Sequence, residues 1–180
     1  MTQVDPTRPQ TLTIAVLTVS NRRTAQDDSA GDYLVDRLTA VGHRCLHRQI
    51  VPDNIYAIRR VLSDWIADDS IHVILTTGGT GFSEQNVLPE AASVLFDKTV
   101  EGFGELFRQI SYASIGAAAI QSRALAGYAN RTIIFCMPGA LDACQTAWEH
   151  LIRDQLDSGQ KPCNFASKVG PAITRQDAKK

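Results

Sequence analysis

The chain has 180 residues, of which 44% are hydrophobic and 21% are charged, and its formal net charge at pH 7 is -1. This length and composition predict one globular domain with a substantial buried core. A net charge so close to zero provides no broad electrostatic field, so neither a nucleic acid nor a membrane is expected as a partner.

The rest of the composition favours a cytoplasmic protein. The polar first ten residues contain two prolines and no signal-peptide pattern, and no apolar run approaches the ~20 residues of a membrane-spanning helix. We expect a flexible arm over residues 1–10, one domain over 11–156, and a tail over 157–180 that is partly docked or disordered. The cysteines lack paired short spacings and are typical of reduced thiols: Cys45, Cys136, Cys144 and Cys163.

The first predicted strand spans residues 12–19 and ends in a polar loop. Ser20 and Asn21 provide a hydroxyl and an amide there, and Arg22 and Arg23 follow. Because ligands of α/β proteins bind at the carboxyl ends of strands, these arginines are suited to holding an anion. Two solvated surface arginines are an equally good interpretation, so both remain open.

A helix near residues 29–41 and an edge strand over 43–51 are predicted next, and Asp53 follows them. An amphipathic helix begins near residue 55. Taken alone, an aspartate in this place is more often a helix cap than a catalytic group. Its location at the same end of the sheet as the polar loop favours a role in a site, so both interpretations remain open.

The most informative stretch is residues 71–92, which read IHVILTTGGTGFSEQNVLPEAA. Its apolar start, rich in β-branched side chains, predicts a strand buried on both faces. The glycines and threonines that follow leave backbone amides uncovered beside hydroxyl groups, which is a surface suited to gripping phosphate. These loop residues are Thr77, Gly78, Gly79, Thr80 and Gly81.

A tight turn that merely needs glycine is the alternative interpretation of this loop. Three glycines within four residues, with threonines beside them, exceed the needs of a turn and favour binding. Named nucleotide motifs do not fit. No Lys-Ser or Lys-Thr pair follows at phosphate-loop spacing, and a dinucleotide fingerprint requires glycine where Glu84 stands.

The second half of the chain begins with a predicted helix over residues 89–96. The pattern then breaks over residues 99–105, where Glu101 and two glycines either line the cleft or form a turn between helices. A helix of small residues is predicted over 114–120, suited to close packing.

Residues 124–128 and 132–137 resemble a hairpin, which predicts an antiparallel member in a mostly parallel sheet. Pro138 and Gly139 follow as a third strand-to-helix loop, before a last long helix over residues 141–156.

This alternation of strands and helices predicts an α/β fold, a three-layer α/β/α sandwich. Three polar loops and the carboxylate of Asp53 then gather at one rim of the sheet. Phosphate-binding amides, an acid for a magnesium ion and the lack of an obvious nucleophile favour phosphoryl or nucleotidyl transfer.

Several motifs, taken in order, resemble the MoaB/MogA family of molybdenum cofactor biosynthesis proteins, and most of all its B-type branch. They are TTGGTG, Pro89-Glu90-Ala91, Glu101-Gly102-Phe103-Gly104-Glu105, Gln121-Ser122-Arg123-Ala124 and Met137-Pro138-Gly139, and the resemblance covers roughly residues 12–165. It implies a molybdopterin-binding, Rossmann-like fold with one antiparallel strand, and assembly as homotrimers or homohexamers. It also implies that active members adenylate molybdopterin with Mg-ATP and release pyrophosphate.

Carried over by position, Asp53 matches the first essential aspartate of the family and is the expected magnesium ligand. Glu101 lies in a matching motif and is expected to line the cleft. The other substrate-binding positions match the family's strand-end loops: Ser20, Asn21, Thr77, Gly78, Gly79, Thr80, Gly81, Pro138 and Gly139.

The second essential carboxylate of the family falls at Asn86, which is a departure from the pattern. An amide keeps an oxygen but brings no negative charge, so it binds magnesium more weakly and cannot act as a base. Glu84, two residues earlier, is a hypothetical source of the missing charge. Two functions remain open: a molybdopterin adenylyltransferase that uses nucleotide at Asp53, and a non-catalytic molybdopterin-binding or carrier protein. An unrelated nucleotide-binding scaffold is a weaker third interpretation.

Overall fold

Six strands form one sheet in the computed structural model, which describes residues 10–169. The spatial order is β2-β1-β3-β6-β5-β4, and β5 pairs antiparallel with both of its neighbours while the other pairings are parallel. The predicted hairpin and the mostly parallel sheet with one antiparallel strand are therefore confirmed. The strands are β1 (Thr13–Val19), β2 (Arg44–Val51), β3 (Val73–Thr77), β4 (Lys98–Thr99), β5 (Leu125–Ala129) and β6 (Thr132–Met137).

Helices cover both faces of the sheet. The last of them is continuous from α5 through a π turn at Trp148–Ile152 into α6, and 3-10 turns follow α3 and α4. The helices are α1 (Ser29–Ala40), α2 (Ile55–Ala67), α3 (Leu88–Ala92), α4 (Glu101–Ile115), α5 (Leu141–Ala147) and α6 (Arg153–Leu156). No helix in the described part of the chain is long and apolar enough to cross a membrane.

Two hydrophobic cores, one on each face of the sheet, make the three layers. Alternate side chains of β1 enter different cores, with Ile14 and Val16 in one and Ala15 and Leu17 in the other. The first core packs against α1, α4, α5 and α6, and the second against α2 and α3. Strands buried on both faces explain the continuous apolar runs in the sequence, and the predicted α/β/α sandwich is confirmed.

The predicted break at residues 99–105 is wrong over residues 101–105, because these residues form the first turns of α4. Gly104 permits close packing instead of ending the helix, because a Cβ at this position would lie 2.7 Å from the carbonyl oxygen of Ala124. The predicted small-residue helix is also divided. Gly116, at a φ of 58°, ends α4, and a 3-10 turn continues from there.

The segment after α6 packs on the first core as far as the structure describes it. Ala166 is fully buried and Val169 nearly so. The ring of Phe165 meets Phe135 edge to face, with 6.2 Å between ring centroids. Docking of this part of the tail therefore completes one wall of the core. Residues 1–9 of the arm expected over residues 1–10, and residues 170–180 of the expected tail, lie outside the described residues.

Candidate functional site

The loops predicted to meet at the carboxyl ends of the strands do meet. The Arg23 guanidinium donates to the carbonyl oxygen of Gly139 at 3.1 Å, which joins the loop after β1 to the loop after β6. The amide of Asp53 donates to Oδ1 of Asn21 at 2.9 Å, which joins the loop after β2 to the loop after β1. The sequence therefore correctly predicted that these loops lie together.

The glycine loop after β3 requires glycine for two separate reasons. Gly78 and Gly79 have φ values of 94° and 66°, in the left-handed region that side chains disfavour. A Cβ on Gly78 would also overlap the backbone carbonyl of Val19. On Gly79 it would lie 3.1 Å from Oδ1 of Asp53. A larger residue at either position would displace the loop or Asp53 before it reached a ligand.

The backbone amides of the glycine loop differ in their hydrogen bonding. Gly78 donates its amide to the carbonyl oxygen of Met137 at 3.1 Å. Within residues 10–169, by contrast, the amides of Gly79, Thr80 and Gly81 have no protein acceptor. Such neighbouring N–H groups form a concave site that favours an anion.

The glycine loop forms one wall of a cavity of about 500 Å³. Pro138 and Gly139 line it too, as the sequence predicted. Its other walls, which were not predicted from the sequence, are formed by the second half of α4 and by α5. Ser111 and Ser114 on α4 are three residues apart and therefore share a helix face. This spacing was the signal in the sequence for a polar wall. These walls include Phe107, Ser111, Ser114, Asp142 and Thr146.

Asp53 is not the cap of α2. That position belongs to Asn54, whose side chain accepts hydrogen bonds from two amides of the first helical turn. Asp53 instead faces the glycine loop: its Oδ1 accepts from the amide of Val87 at 3.1 Å, and its Oδ2 accepts from Nδ2 of Asn86 at 2.8 Å. The cap interpretation is therefore wrong, and the interpretation of Asp53 as a site residue has the geometric support.

Asn86 lines the cavity and uses both ends of its amide. While Nδ2 donates to Asp53, Oδ1 accepts from the hydroxyl of Ser83 at 2.7 Å. Glu84 lies in the exposed turn that Ser83 and Asn86 close, with an amide-to-carbonyl distance of 2.9 Å. Among the described residues, Glu84 forms no hydrogen bond or ion pair with Asp53 or Asn86, so the geometry provides no support for Glu84 as a replacement carboxylate.

Glu101 is not brought to this cavity. It is exposed in the first turn of α4, whereas the cavity is lined by the same helix from Phe107 onward. Ser111 lies ten residues beyond Glu101, which corresponds to ~15 Å along a helix. The expectation that Glu101 lines the cleft is contradicted within one subunit, because α4 is continuous where a turn was expected.

Thr77 also departs from its predicted role as a binding residue. Its side chain is fully buried, and the hydroxyl donates to the carbonyl oxygen of Pro138 at 3.1 Å and lies 3.2 Å from Sγ of Cys144. Burial raises the pKa of Cys144 to about 11, so this thiol stays protonated at neutral pH. The hydroxyl of Thr77 therefore ties two loops together instead of facing a ligand.

Ser20 and Asn21 line a second, neighbouring cavity of about 650 Å³ together with Arg23 and Arg48. The hydroxyl of Ser20 accepts hydrogen bonds from the amides of Arg22 and Arg23 and so shapes this loop. Arg23 is no simple solvated arginine, because it spans the two loops described above. Arg22 is exposed, as in the solvated interpretation.

No role for Arg123 was predicted from the sequence, yet its guanidinium contacts the glycine loop. It donates to the carbonyl oxygens of Thr80, Gly81 and Asn86 at 3.1, 2.7 and 2.6 Å. Arg123 stands within one of the motifs that carried the family resemblance, which was the available signal.

Comparisons with known proteins agree with this geometry. Residues 15–158 match the family profile described as "Probable molybdopterin binding domain". Molybdenum cofactor biosynthesis protein B of Escherichia coli (strain K12) is 52% identical over 164 residues, which cover 91% of this chain and 94% of that protein.

Solved structures show the same relationship. A crystal structure of molybdenum cofactor biosynthesis protein B superposes with a TM-score of 0.80 at 37% identity and covers 83% of this chain and 93% of that one. The tungsten cofactor synthesizing protein MoaB from Pyrococcus furiosus superposes with a TM-score of 0.74 at 30% identity, covering 83% of this chain and 94% of that one. This chain therefore belongs to the MoaB/MogA family of molybdenum cofactor biosynthesis proteins.

Proposed function

We propose that this protein binds molybdopterin by its terminal phosphate at the glycine loop and adenylates it with Mg-ATP. One observation carries the proposal: three neighbouring loop amides, from Gly79 to Gly81, lack an acceptor within the described residues and belong to the wall of a cavity. Neighbouring backbone amides without a protein acceptor are able to stabilise the charge of a phosphate without an added cation.

The proposed reaction is a nucleotidyl transfer. A terminal phosphate oxygen of molybdopterin forms a bond to the α-phosphorus of ATP. The bond from that phosphorus to the oxygen bridging to the β-phosphate breaks, and pyrophosphate leaves with the electron pair. Little covalent chemistry is left for the protein in such a reaction, so its part is to position and neutralise the phosphates. The loop amides hold the attacking phosphate, and Asp53 lies beside them across Gly79.

Asp53 is able to hold magnesium only with help from the nucleotide. Each of its oxygens accepts one hydrogen bond and keeps a further lone pair. In residues 10–169, no cluster of three or more His, Cys, Asp or Glu side chains is suited to a metal by itself. Magnesium commonly binds through one or two carboxylates and substrate phosphates, so a single carboxylate meets the minimum. The ion would supply charge neutralisation for the leaving pyrophosphate.

The hydrogen bond from Asn86 to Asp53 favours a second candidate function, a molybdopterin-binding or carrier protein without catalysis. Nδ2 of Asn86 donates a hydrogen bond to Oδ2 of Asp53 at 2.8 Å. Asn86 stands where the family resemblance implies a second carboxylate. The amide contributes no negative charge, so the affinity for magnesium falls while the loop amides remain available. In this case molybdopterin binds and is not activated.

Pyrophosphate release separates the two candidates. Purified protein is incubated with molybdopterin, ATP and magnesium, and both pyrophosphate and bound pterin are measured. We expect Asp53→Ala to abolish pyrophosphate release while pterin still binds, and Asp36→Ala, an exposed aspartate on α1, to leave both unchanged. Release that persists in Asp53→Ala removes this residue from the reaction. Bound pterin without release in the unmodified protein establishes the carrier function, and a protein that does neither refutes both.

We also propose that the protein acts in the cytoplasm as a homotrimer or homohexamer. Support for assembly comes from the surface formed by α4 and its 3-10 turn, where Tyr112 and Ile120 line one shallow depression and are 65% and 83% exposed. Large apolar side chains grouped on one surface favour association. Light scattering on the purified protein measures the mass directly, and a monomer at micromolar concentration would contradict the proposal.

A further inference from the structure

Arg123 is placed so that one guanidinium reaches three carbonyl groups of the same loop. They are those of Thr80, Gly81 and Asn86, and the carboxylate of Glu90 on α3 also contacts the guanidinium. The ring of Phe82 lies below it, with 5.3 Å from the guanidinium carbon to the ring centroid. Arg123 itself is absent from the described walls of the 500 Å³ cavity. It therefore acts on the loop and not directly on a ligand there.

Because peptide groups are planar, the contacts of Arg123 with carbonyl oxygens also determine the direction of the N–H groups that follow them. In a trans peptide the carbonyl of one residue and the N–H of the next point in opposite directions. The carbonyl of Thr80 points at Arg123, so the N–H of Gly81 points away from it. The carbonyl of Asn86 also points at Arg123, so the N–H of Val87 points away.

The second of these orientations has a visible consequence. The amide of Val87 donates to Oδ1 of Asp53 at 3.1 Å, on the side opposite to Arg123. Asp53 and Arg123 thus grip the two ends of one peptide group. The first orientation concerns Gly81, which lines the cavity and whose amide has no acceptor among residues 10–169.

We infer that Arg123 is a positioning residue that aims the amide of Gly81 at an anion and the amide of Val87 at Asp53. The anion-binding half of the inference rests on the proposed function, whereas the Val87–Asp53 half rests on geometry alone. The planar fork of arginine is required, because it donates in several fixed directions at once. A lysine at this position keeps the charge but is a point donor on a flexible stem, so it cannot hold the three carbonyls together.

Amide hydrogen exchange tests the positioning of Val87. We expect its exchange to accelerate at least tenfold in Arg123→Gln and Arg123→Lys, while exchange at Leu75 in the central strand β3 stays unchanged. The control is Arg153→Gln. This variant removes an exposed arginine that does not contact the loop and forms an ion pair with Glu149 at 3.1 Å. Glu90→Gln provides a milder variant with Arg123 in place, and we expect a smaller acceleration in the same direction.

A titration with inorganic pyrophosphate, followed through the amide resonances of Gly79 and Gly81, tests the anion-binding half. We expect the Kd to rise at least tenfold in both Arg123 variants, which corresponds to about 1.4 kcal/mol, and to stay unchanged in Arg153→Gln. An unchanged Kd in both Arg123 variants overturns this half of the inference.

The exchange data keep the two failures apart. If Val87 and Leu75 accelerate together, Arg123 only stabilises the fold, and the positioning role is refuted. Unchanged exchange at Val87 in both Arg123 variants refutes it as well. A further outcome is that pyrophosphate does not shift the amide resonances of Gly79 and Gly81 in the unmodified protein, while exchange at Val87 alone still accelerates in the Arg123 variants. In that case the proposed phosphate site is refuted, and the role of Arg123 in orienting the Val87 amide toward Asp53 stands.

Discussion

Replacing Asn86 by aspartate places a second carboxylate beside Asp53, and the structure predicts that this change destabilises the protein when magnesium is absent. The variant loses the hydrogen bond between Nδ2 and Oδ2 of Asp53 and places a second negative charge beside the first. Two carboxylate oxygens about 4 Å apart repel by about 4 kcal/mol at an effective dielectric constant of about 20. Both residues are half-exposed, so screening reduces this figure, and we expect a loss of about 2 kcal/mol at pH 7.

Magnesium and acid should each reverse this loss. A divalent ion placed between the two carboxylates converts their repulsion into a binding site, so the free energy of unfolding of Asn86→Asp should rise with millimolar magnesium. Repulsion favours proton uptake by the folded pair and raises its pKa above that of the unfolded chain. Stability relative to the unmodified protein is therefore retained at acidic pH and lost as the pH rises through the pKa of the pair.

Urea unfolding with and without magnesium measures these effects. The matched control is Gln85→Glu, which adds the same charge to the same loop at an exposed position, and we expect it to change stability by less than about 0.5 kcal/mol. If Asn86→Asp is as stable as the unmodified protein without magnesium and does not respond to the ion, the two side chains do not form one site, and the reasoning about Asp53 is refuted.

Three further predictions concern stability. Gly78→Ala should cost more than about 3 kcal/mol in urea unfolding, because its φ of 94° is left-handed and its Cβ would overlap a carbonyl of β1. The control is Gly102→Ala in α4, where a Cβ meets open space, and this variant should be neutral or slightly stabilising. Equal losses of stability in the Gly78 and Gly102 variants would refute the argument from backbone conformation. Nδ1 of His43 and Nδ1 of His72 each accept a hydrogen bond from a backbone amide near the start of β1. Burial lowers the pKa of both imidazoles, so on acidification the unfolded chain binds protons before the folded protein does. Stability should therefore fall as the pH drops from about 6.5 through the folded pKa values, and a double glutamine variant that keeps the same slope would contradict this. Thr77→Val should lower stability by about 1 kcal/mol and leave pyrophosphate binding unchanged, whereas lost binding would return Thr77 to the ligand site.

The sequence predicted the layers and the position of the loops well, because both depend on local patterns. Continuous apolar runs such as that of β3 follow directly from burial on both faces. The glycine loop was recognisable because Gly78 and Gly79 meet a backbone requirement that other residues meet poorly. Such features are determined within a few residues of the chain.

The errors arose where a residue's role depends on a distant partner. Gly104 looked like a helix breaker because its close neighbour, the carbonyl of Ala124, lies twenty residues away in the sequence. For Asp53 the local pattern left a helix cap open beside a role in the site, because its contact with Asn86 spans thirty-three residues. Arg123 had no visible task, since all of its loop partners lie in another part of the chain. Local periodicity contains no information about such contacts.

The contact between Asn86 and Asp53 is too weak by itself to decide between the two candidate functions. A hydrogen bond to a charged group contributes about 1.5–3 kcal/mol at most, and the phosphates of a bound nucleotide provide magnesium with further ligands that outweigh it. What Asn86 does not supply is a second negative charge beside Asp53. An enzyme limited in this way should need more magnesium, and its pyrophosphate release should keep rising with the ion at concentrations that saturate Asn86→Asp. A carrier should release no pyrophosphate at any magnesium concentration, so the magnesium dependence of the unmodified protein distinguishes a weakened enzyme from a carrier.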